Sequence, residues 1–324
     1  MDERTRASPT LAAADPASCT PCDTGEVPEG DSVFKLARRL DRQLAGHTIE
    51  RSDFRTPRLA TRDVAGRSVI AHDTHGKHLL TRLSATATSP AATLHSHLRM
   101  DGSWSTLAPG KRLPPAVRPH VRLVLELDDG RVVHGIRLHD LDLVRTDREA
   151  DLVGHLGPDP LRADWDEAEA VRRLRADPAV PLVSALLEQR SLAGLGNLWA
   201  NELAFLSGVS PWTPIGEVDV ERLVARAAVM LHHSATVEGA YQVTTGSPVR
   251  GDDHWVTGRQ RVGCRRCRGP ISMTAELPGD AANRRTWWCP SCQPGPGPDA
   301  RISVRPGAAS GRPRRSSRSS RGRR

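Results

Sequence analysis

The sequence predicts an α+β protein of several domains: an antiparallel β-sandwich with a flanking helix, then a helical domain, then a small C-terminal β-hairpin that carries cysteines. Short runs of alternating apolar residues fill residues 47–144, which is the pattern of half-buried strands. Helical spacing of apolar residues dominates from about residue 156, and two matched Cys-x-x-Cys pairs follow it. A chain of 324 residues has room for two cores and smaller appendages.

The sandwich is predicted to begin with a helix. Asp31 can cap that helix, and Gly46 ends it. Extended stretches follow, with turns predicted at Gly76 and at Asp128-Asp129-Gly130. The apolar face of the helix is Val33, Leu36, Ala37, Leu40 and Leu44, and the extended stretches are residues 68–83, 93–98 and 120–138.

The helical domain is predicted from capping signals and from two glycines. Asp164-x-x-Glu167 has the form of a capping box. Gly194 and Gly196 make a tight turn between two helices, and Asn197 can cap the second helix. The predicted helices cover residues 165–177, 181–190, 198–206 and 221–234. No Gly-x-Gly-x-x-Gly follows a strand, so no nucleotide cofactor is predicted.

The cysteine spacing predicts a metal site. Two Cys-x-x-Cys pairs, with 21 residues between them, supply four thiolates for one tetrahedral Zn²⁺. No ligand position is left open, so the predicted zinc is structural, one ion per chain. The pairs are Cys264/Cys267 and Cys289/Cys292, and the loop between them carries Arg284, Arg285, Trp287 and Trp288. Such basic and aromatic groups suit contact with DNA, or they simply pack and face solvent.

Charge is distributed unevenly along the chain. Residues 301–324 contain nine Arg and no acidic residue, and residues 1–26 carry a net charge of −3. Only +2 of the total +8 therefore falls on residues 27–300, so a specific nucleic-acid site must come from individually placed residues. The tail favours weak phosphate attraction or plain solvation. No run of about 18 apolar residues predicts a membrane span, and a cytoplasmic location is expected.

Five stretches resemble, in order, the formamidopyrimidine-DNA glycosylase and endonuclease VIII family. The first is Pro-Glu-Gly-Asp, within GEVPEGDSVF. The others are HGKHLL, HSHLRMDG, the segment from LGPDPL to AGLGNLWANE, and VTGR followed by the cysteine hairpin that ends RRTWWCPSCQ. The resemblance covers about residues 27–293. It implies a catalytic sandwich at 27–145, a helix-two-turn-helix domain at 146–258, a zinc finger at 259–293, and terminal extensions at 1–26 and 294–324.

The resemblance implies a bifunctional DNA glycosylase and abasic-site lyase of base excision repair. Pro28 would be the terminal amine that forms a Schiff base with the sugar, with strand cleavage by β,δ-elimination. Glu29 would be the adjacent acid–base group, and Lys77 would hold a phosphate near the reaction centre. The implied partner is damaged double-stranded DNA, with single-stranded DNA left open, and the implied state is a monomer associated with the nucleoid.

The resemblance also implies DNA contacts away from the reacting sugar. Asn197 and Arg284 would clamp the flanking backbone, with Arg285 as the alternative to Arg284. Leu98 and Met100 would be apolar wedges, and Arg99 would meet the orphaned base. The alternative for Leu98 is simple packing in the sheet. The segment RVVHGIRLHD and the Pro-Glu-Gly-Asp start favour an endonuclease VIII-like enzyme that removes oxidised pyrimidines.

The position of Pro28 inside the chain creates a second hypothesis. An internal prolyl nitrogen is a tertiary amide and cannot act as a nucleophile, so the full chain would be a non-catalytic damaged-DNA binder. Because Val27 is what an upstream-read GTG start codon becomes, we expect translation to begin at position 27, with proteolysis after Val27 as the other route. A third hypothesis, a redox role for Cys19/Cys22, lacks a βαβ context.

Overall fold

The computed structural model describes residues 28–249, 251–274 and 284–298. Predictions for the N-terminal extension, for Cys19/Cys22 and for the arginine-rich tail lie outside these ranges. Among the described residues, no helix has the length and apolar character needed to cross a membrane. The helices are α1 Gly30–Leu44, α2 Ala150–Val153, α3 Glu167–Leu174, α4 Leu182–Leu187, α5 Asn197–Ser207 and α6 Val220–Thr236. The strands are β1 Ile49–Phe54, β2 Val69–His75, β3 His78–Leu83, β4 Ala92–His97, β5 Ser103–Leu107, β6 Val121–Leu127, β7 Val132–Ile136, β8 Asp140–Arg145, β9 Ser272–Thr274 and β10 Thr286–Trp288.

The first domain is a sandwich of two four-stranded antiparallel sheets, with strand orders β1-β6-β7-β5 and β2-β3-β4-β8. The turns predicted at Gly76 and Gly130 both take positive φ, +57° and +80°, which glycine adopts without steric cost. The apolar face predicted for α1 is buried against this core. The predicted fold class is confirmed. Strands β1, β5 and β8 fall outside the three extended stretches that the sequence predicted, although β1 and β5 lie within residues 47–144.

The helical domain has its own core, built from α3, α4, α5 and α6 around Trp199. Its caps differ from the predicted ones. Helix α3 begins at Glu167, so the cap position falls on Asp166, whose side chain accepts the Glu169 amide at 2.9 Å. Asp164 is instead paired with Arg162 at 2.8 Å. Helix α5 begins at Asn197, so the cap position falls on Gly196, which has no side chain to offer.

The zinc-finger region is a small hairpin in which β9 and β10 pair antiparallel. Trp287 is buried, and Trp288 packs edge-to-face on Trp212 with ring centroids 4.6 Å apart. Both tryptophans therefore serve the packing of the finger against the helical domain. The Trp287 amide donates to Asn201 Oδ1 at 2.8 Å, which joins β10 to α5.

Candidate active site

Glu29 supplies the cap that α5 lacks in its own sequence. Its carboxylate accepts the Gly196 and Leu198 amides, each at 2.8 Å. The Gly30 amide donates to the Gly194 carbonyl at 2.8 Å, so the start of the sandwich domain is bonded to the glycine turn of the helical domain. The free amides at a helix N-terminus favour an anionic group. Glu29, near the start of the first domain, thus caps helix α5 of the second domain.

Gly30 and Gly196 are required because the start of α1 and the glycine turn before α5 approach each other closely. A Cβ on Gly196 would lie 2.4 Å from the Glu29 carboxyl carbon, and a Cβ on Gly30 would lie 2.8 Å from Gly194 Cα. Gly194 also takes φ +96°, a conformation that favours glycine. The glycine turn that the sequence indicated therefore binds the Glu29 carboxylate and leaves room for it.

Glu29 has a pKa suited to proton transfer near neutral pH. Burial is the main cause that raises its pKa, to about 7, and the nearby charge of Asp31 adds to the rise. The charge of Lys77 and the α5 amides oppose it. A carboxyl that titrates near the working pH can both give and take a proton.

Lys77 lies in the tight β2–β3 turn and faces the Glu29 carboxylate closely enough for each charge to act on the other's pKa. Burial lowers the pKa of Lys77, and the charge of Glu29 opposes that effect. The turn is held by Asp159, whose carboxylate accepts the Gly76 amide at 2.7 Å and the Leu161 amide at 2.9 Å. Asp159 was not predicted as a site residue, although it stands in the LGPDPL motif.

The finger brings its arginines to the same place. The Asn197 side-chain amide donates to the Arg285 carbonyl at 2.8 Å, so Asn197 ties the arginine segment to α5. The charge of Arg284 lowers the pKa of Lys77, so the finger and the β2–β3 turn interact electrostatically. The β2–β3 turn, the start of α5 and the finger thus contribute Lys77, Asn197 and Arg284 to the surroundings of Glu29. Lys77 and Arg284 are 207 positions apart in the sequence.

The predicted wedge loop follows β4 as a tight turn. Leu98 is only 6 % exposed and belongs to the sandwich core, which favours the packing alternative for this residue. Met100 is 68 % exposed. Arg99 takes φ +55° and its Nε donates to Asp140 Oδ2 at 2.5 Å. Leu98 is therefore buried in the core, whereas Arg99 and Met100 are exposed at the tip of the loop.

The four cysteines of the finger form one cluster. Their sulfur atoms all lie within 4.8 Å of one another, with Cys267 Sγ 3.4 Å from Cys289 Sγ and Cys264 Sγ 3.8 Å from Cys292 Sγ. A tetrahedral zinc with bonds of about 2.3 Å requires sulfur separations of about 3.8 Å. The donor set therefore fits one zinc ion ligated only by thiolates, with no position for substrate.

A fold of this kind, with a capped glycine turn and a cysteine finger, defines a class of DNA-repair proteins. The model of the formamidopyrimidine-DNA glycosylase N-terminal domain matches residues 27–141, and that of the formamidopyrimidine-DNA glycosylase H2TH domain matches residues 156–244. The chain belongs to the formamidopyrimidine-DNA glycosylase and endonuclease VIII family.

Similar proteins favour the endonuclease VIII branch. The chain is 45% identical over 291 residues to "Probable endonuclease 8 2" of Streptomyces coelicolor, covering 89% of this chain and 100% of that protein. It is 40% identical over 269 residues to "DNA-(apurinic or apyrimidinic site) lyase Nei2" of Mycolicibacterium smegmatis, covering 82% and 99%. Its fold matches that of Lactococcus lactis Fpg in complex with abasic-site DNA, with TM-score 0.66 and 23% identity over 82% of this chain and 100% of that one.

Proposed function

We propose that the protein is a bifunctional DNA glycosylase and abasic-site lyase that removes oxidised bases, chiefly pyrimidines, from double-stranded DNA. The observation that carries this proposal is the buried Glu29 carboxyl, with a pKa of about 7, placed next to Pro28 and facing Lys77. The relatives named for endonuclease 8 and for abasic-site lyase activity support it. By the same family membership, the protein acts as a monomer in the cytoplasm, at the nucleoid.

The nucleophile is Pro28 in a chain that lacks the preceding residues. A terminal α-amine titrates at about 8, against about 10.4 for a lysine side chain, so far more of it is unprotonated at neutral pH. The matched family segment begins at residue 27, one position before this proline. The site is therefore active only in a chain that begins at Pro28, which arises if translation starts at position 27 and the initiator methionine is removed, or if residues 1–27 are cleaved off.

The reaction follows from the placement of these groups. The Pro28 nitrogen forms a bond to C1′ and loses its proton, the bond from C1′ to the ring oxygen opens, and Glu29 gives that oxygen a proton. The electron pair of the glycosidic bond leaves with the base, which takes up the proton lost by the prolyl nitrogen, and that nitrogen and C1′ remain joined as a cationic iminium, the Schiff base. Loss of a C2′ proton then expels the 3′ phosphate, and a second elimination expels the 5′ phosphate. Lys77 holds the phosphate next to the reacting sugar.

DNA binding uses the groups around this centre. The lesion must leave the base stack, at a cost of about a few kcal/mol, and Asn197 and Arg284 hold the flanking phosphates while it does. Met100, which is 68 % exposed, fills the vacated space, and Arg99 meets the orphaned base. We assign Leu98 to the support of this loop because it is buried in the core. The zinc ion that Cys264, Cys267, Cys289 and Cys292 would hold keeps the finger folded.

A second function follows if the bond between residues 27 and 28 persists. Because Val27 precedes Pro28 in the sequence, the full chain has no free prolyl amine. That form would bind damaged DNA without cutting it.

Borohydride trapping separates the two forms. A chain that begins at Pro28 should form a covalent complex with abasic DNA and with DNA that contains an oxidised pyrimidine. The matched control is the full chain, which should bind the same DNA and give no covalent complex. Failure of the Pro28 chain to trap either DNA would refute the proposed mechanism, and mass analysis of the native protein would show whether residue 28 is its terminus.

A further inference from the structure

The loop after β4 holds Arg99 in an uncommon conformation. Arg99 takes φ +55°, in the left-handed region that residues other than glycine rarely adopt. Its amide donates to His97 Nδ1 at 3.1 Å, which requires that this nitrogen carries no proton. Burial lowers the pKa of His97 to about 4, so the bond is intact at neutral pH. Backbone strain of this kind persists only where the surroundings hold it, and it is frequent at binding sites.

The guanidinium of Arg99 is fixed at one of its edges. Asp140, the first residue of β8, is the strand partner of His97, so it lies beside the start of the loop. Its Oδ2 accepts the Arg99 Nε at 2.5 Å. Within the described part of the chain, Asp140 is the only hydrogen-bond partner of this guanidinium. The Arg99 side chain is 59% exposed, so its two Nη groups remain available to a ligand.

A guanidinium that is held at Nε presents two parallel N–H donors at its far end. Guanine offers such a pair two adjacent acceptors, O6 and N7, and the contact of an arginine with these atoms is the commonest specific contact between proteins and bases. Adenine places its N6 amino donor beside N7 and also beside N1. One of the two arginine donors would therefore face another donor on adenine. An arginine that could turn freely would avoid that conflict, whereas one held by Asp140 cannot.

We propose that Asp140 is a positioning residue that orients Arg99 to recognise an orphaned guanine. The protein then favours oxidised cytosines, which stand opposite guanine, over oxidised thymines, which stand opposite adenine. This inference rests on the proposed function, in which Arg99 meets the orphaned base. It adds a preference among oxidised pyrimidines that is set by the base opposite the lesion.

The test uses a lesion analogue that pairs with no base. A tetrahydrofuran abasic-site analogue leaves the opposite base orphaned, so the cost of breaking a base pair does not enter the comparison. The dissociation constant of the full, zinc-loaded chain is measured for two duplexes that differ only in guanine or adenine opposite the analogue. The chain should bind the guanine duplex about five- to 150-fold more tightly, which is the discrimination that one bidentate contact provides.

Asp140→Ala removes the acceptor that fixes the guanidinium. The two dissociation constants should then agree within about twofold, because the freed arginine meets either base with a single donor. Arg99→Lys, which replaces the paired donors with a point charge, should have the same effect. Loss of a negative charge strengthens binding to both duplexes alike, so the ratio separates orientation of Arg99 from a general electrostatic effect.

The matched control is Asp147→Ala, beyond the other end of β8. Asp147 also pairs with an arginine, Arg145, at 2.5 Å, so this variant loses the same charge and the same kind of ion pair. It should retain the full preference for guanine. Equal binding of the two duplexes by the unsubstituted chain, or a preference that persists in Asp140→Ala, would overturn the inference.

Binding of the analogue involves no covalent step, so this test is separate from the proposed chemistry. A guanine preference that disappears in Asp140→Ala, together with no borohydride trapping by the Pro28 chain, would reject the lyase function and keep the role of Asp140. Normal trapping, together with equal ratios of dissociation constants in the unsubstituted chain and in Asp140→Ala, would reject the role of Asp140 alone.

Discussion

Two buried glutamates, one at the N-terminus of α5 and one within the helix, have similar hydrogen-bond partners. Glu29, at the helix N-terminus, accepts the Gly196 and Leu198 amides. Glu202, one turn further along the helix, accepts the amides of residues 255, 256 and 257 at 2.7, 3.0 and 2.9 Å. Both side chains are 0 % exposed, so burial and amide contacts alone do not distinguish them.

The neighbours of the two carboxylates differ. Glu29 faces Lys77 and Asp31, whose charges act on its pKa in opposite directions. Glu202 receives one further donor, the Thr244 hydroxyl at 2.5 Å, and holds the VTGR segment that leads into the finger. The charge of Glu202 acts only weakly on the pKa of Arg259, as the last of its causes, and the hydrogen bonds that Glu202 accepts from three backbone amides and a hydroxyl fix two segments together. A buried carboxylate with titratable neighbours can carry acid–base chemistry.

The largest effect that tests this contrast is expected from Glu29→Gln. The amide retains the shape of the side chain but has no carboxyl proton to give to the opening sugar. Base excision by the Pro28 chain should fall by about 10²- to 10⁴-fold under single-turnover conditions, with the circular dichroism spectrum unchanged. A loss smaller than about tenfold would remove Glu29 from the acid–base role.

The second-largest effect is expected from a substitution in the glycine turn that binds the Glu29 carboxylate. Gly196→Ala introduces a Cβ 2.4 Å from the Glu29 carboxyl carbon, so the carboxylate or the turn must move. A displacement of about 1 Å at a reacting centre can cost about 100-fold in rate. Gly297→Ala is the matched control because nothing lies within 4 Å of its new Cβ. Equal excision rates for the two variants would show that the site tolerates the shift.

A smaller effect is expected from Glu202→Gln. Loss of the charge weakens the hydrogen bonds to the VTGR amides, and the free energy of unfolding should fall by about 1–3 kcal/mol. DNA affinity should fall because the finger is held less firmly, whereas the pH profile of excision should keep its shape. Glu217→Gln, at an exposed position, is the control for both measurements. A shifted pH profile would give Glu202 a part in the chemistry and remove the contrast with Glu29.

Sequence patterns predicted the parts of this site that depend on local spacing. The α1 face, the hairpin turn at Gly76 and the two cysteine pairs follow from periods of a few residues. The family resemblance, rather than periodicity, marked Glu29 and Lys77 as neighbours. Strand β8 escaped prediction because its pairing with β4 joins residues about 50 positions apart, such as Thr93 and Val144.

The cap of α5 shows most clearly what local patterns cannot provide. Asn197 follows the glycine turn and has the chemistry of an N-cap, yet the cap comes from Glu29, 168 positions earlier in the chain. Asn197 instead binds the Arg285 carbonyl. A capping rule considers only the flanking residues, whereas the donors at this helix end meet a carboxylate from another domain.

The smallest effect is expected from a cluster of buried histidines near Lys77, which are uncharged at neutral pH. His78 Nδ1 lies 2.7 Å from His95 Nε2, and the two rings stack with centroids 5.0 Å apart. Burial is the main cause that lowers the pKa of His78 to about 3, and the neighbouring histidines add to it. Burial likewise lowers the pKa of His97, to about 4. These histidines therefore remain uncharged in the folded protein at neutral pH.

This arrangement predicts that acid destabilises the sandwich at pH values below those at which Glu29 takes up its proton. Below pH about 6.5 the unfolded chain binds protons at these histidines and the folded chain does not, so stability falls as the pH drops towards 4. The slope is at most about 1.4 kcal/mol per pH unit for each histidine. Urea unfolding at pH 7 and pH 5 should show a smaller difference in His78→Gln than in the unsubstituted chain. His139→Gln, whose parent side chain is 58% exposed, should retain the full difference, and equal differences in all three proteins would show that the histidine cluster does not govern acid stability.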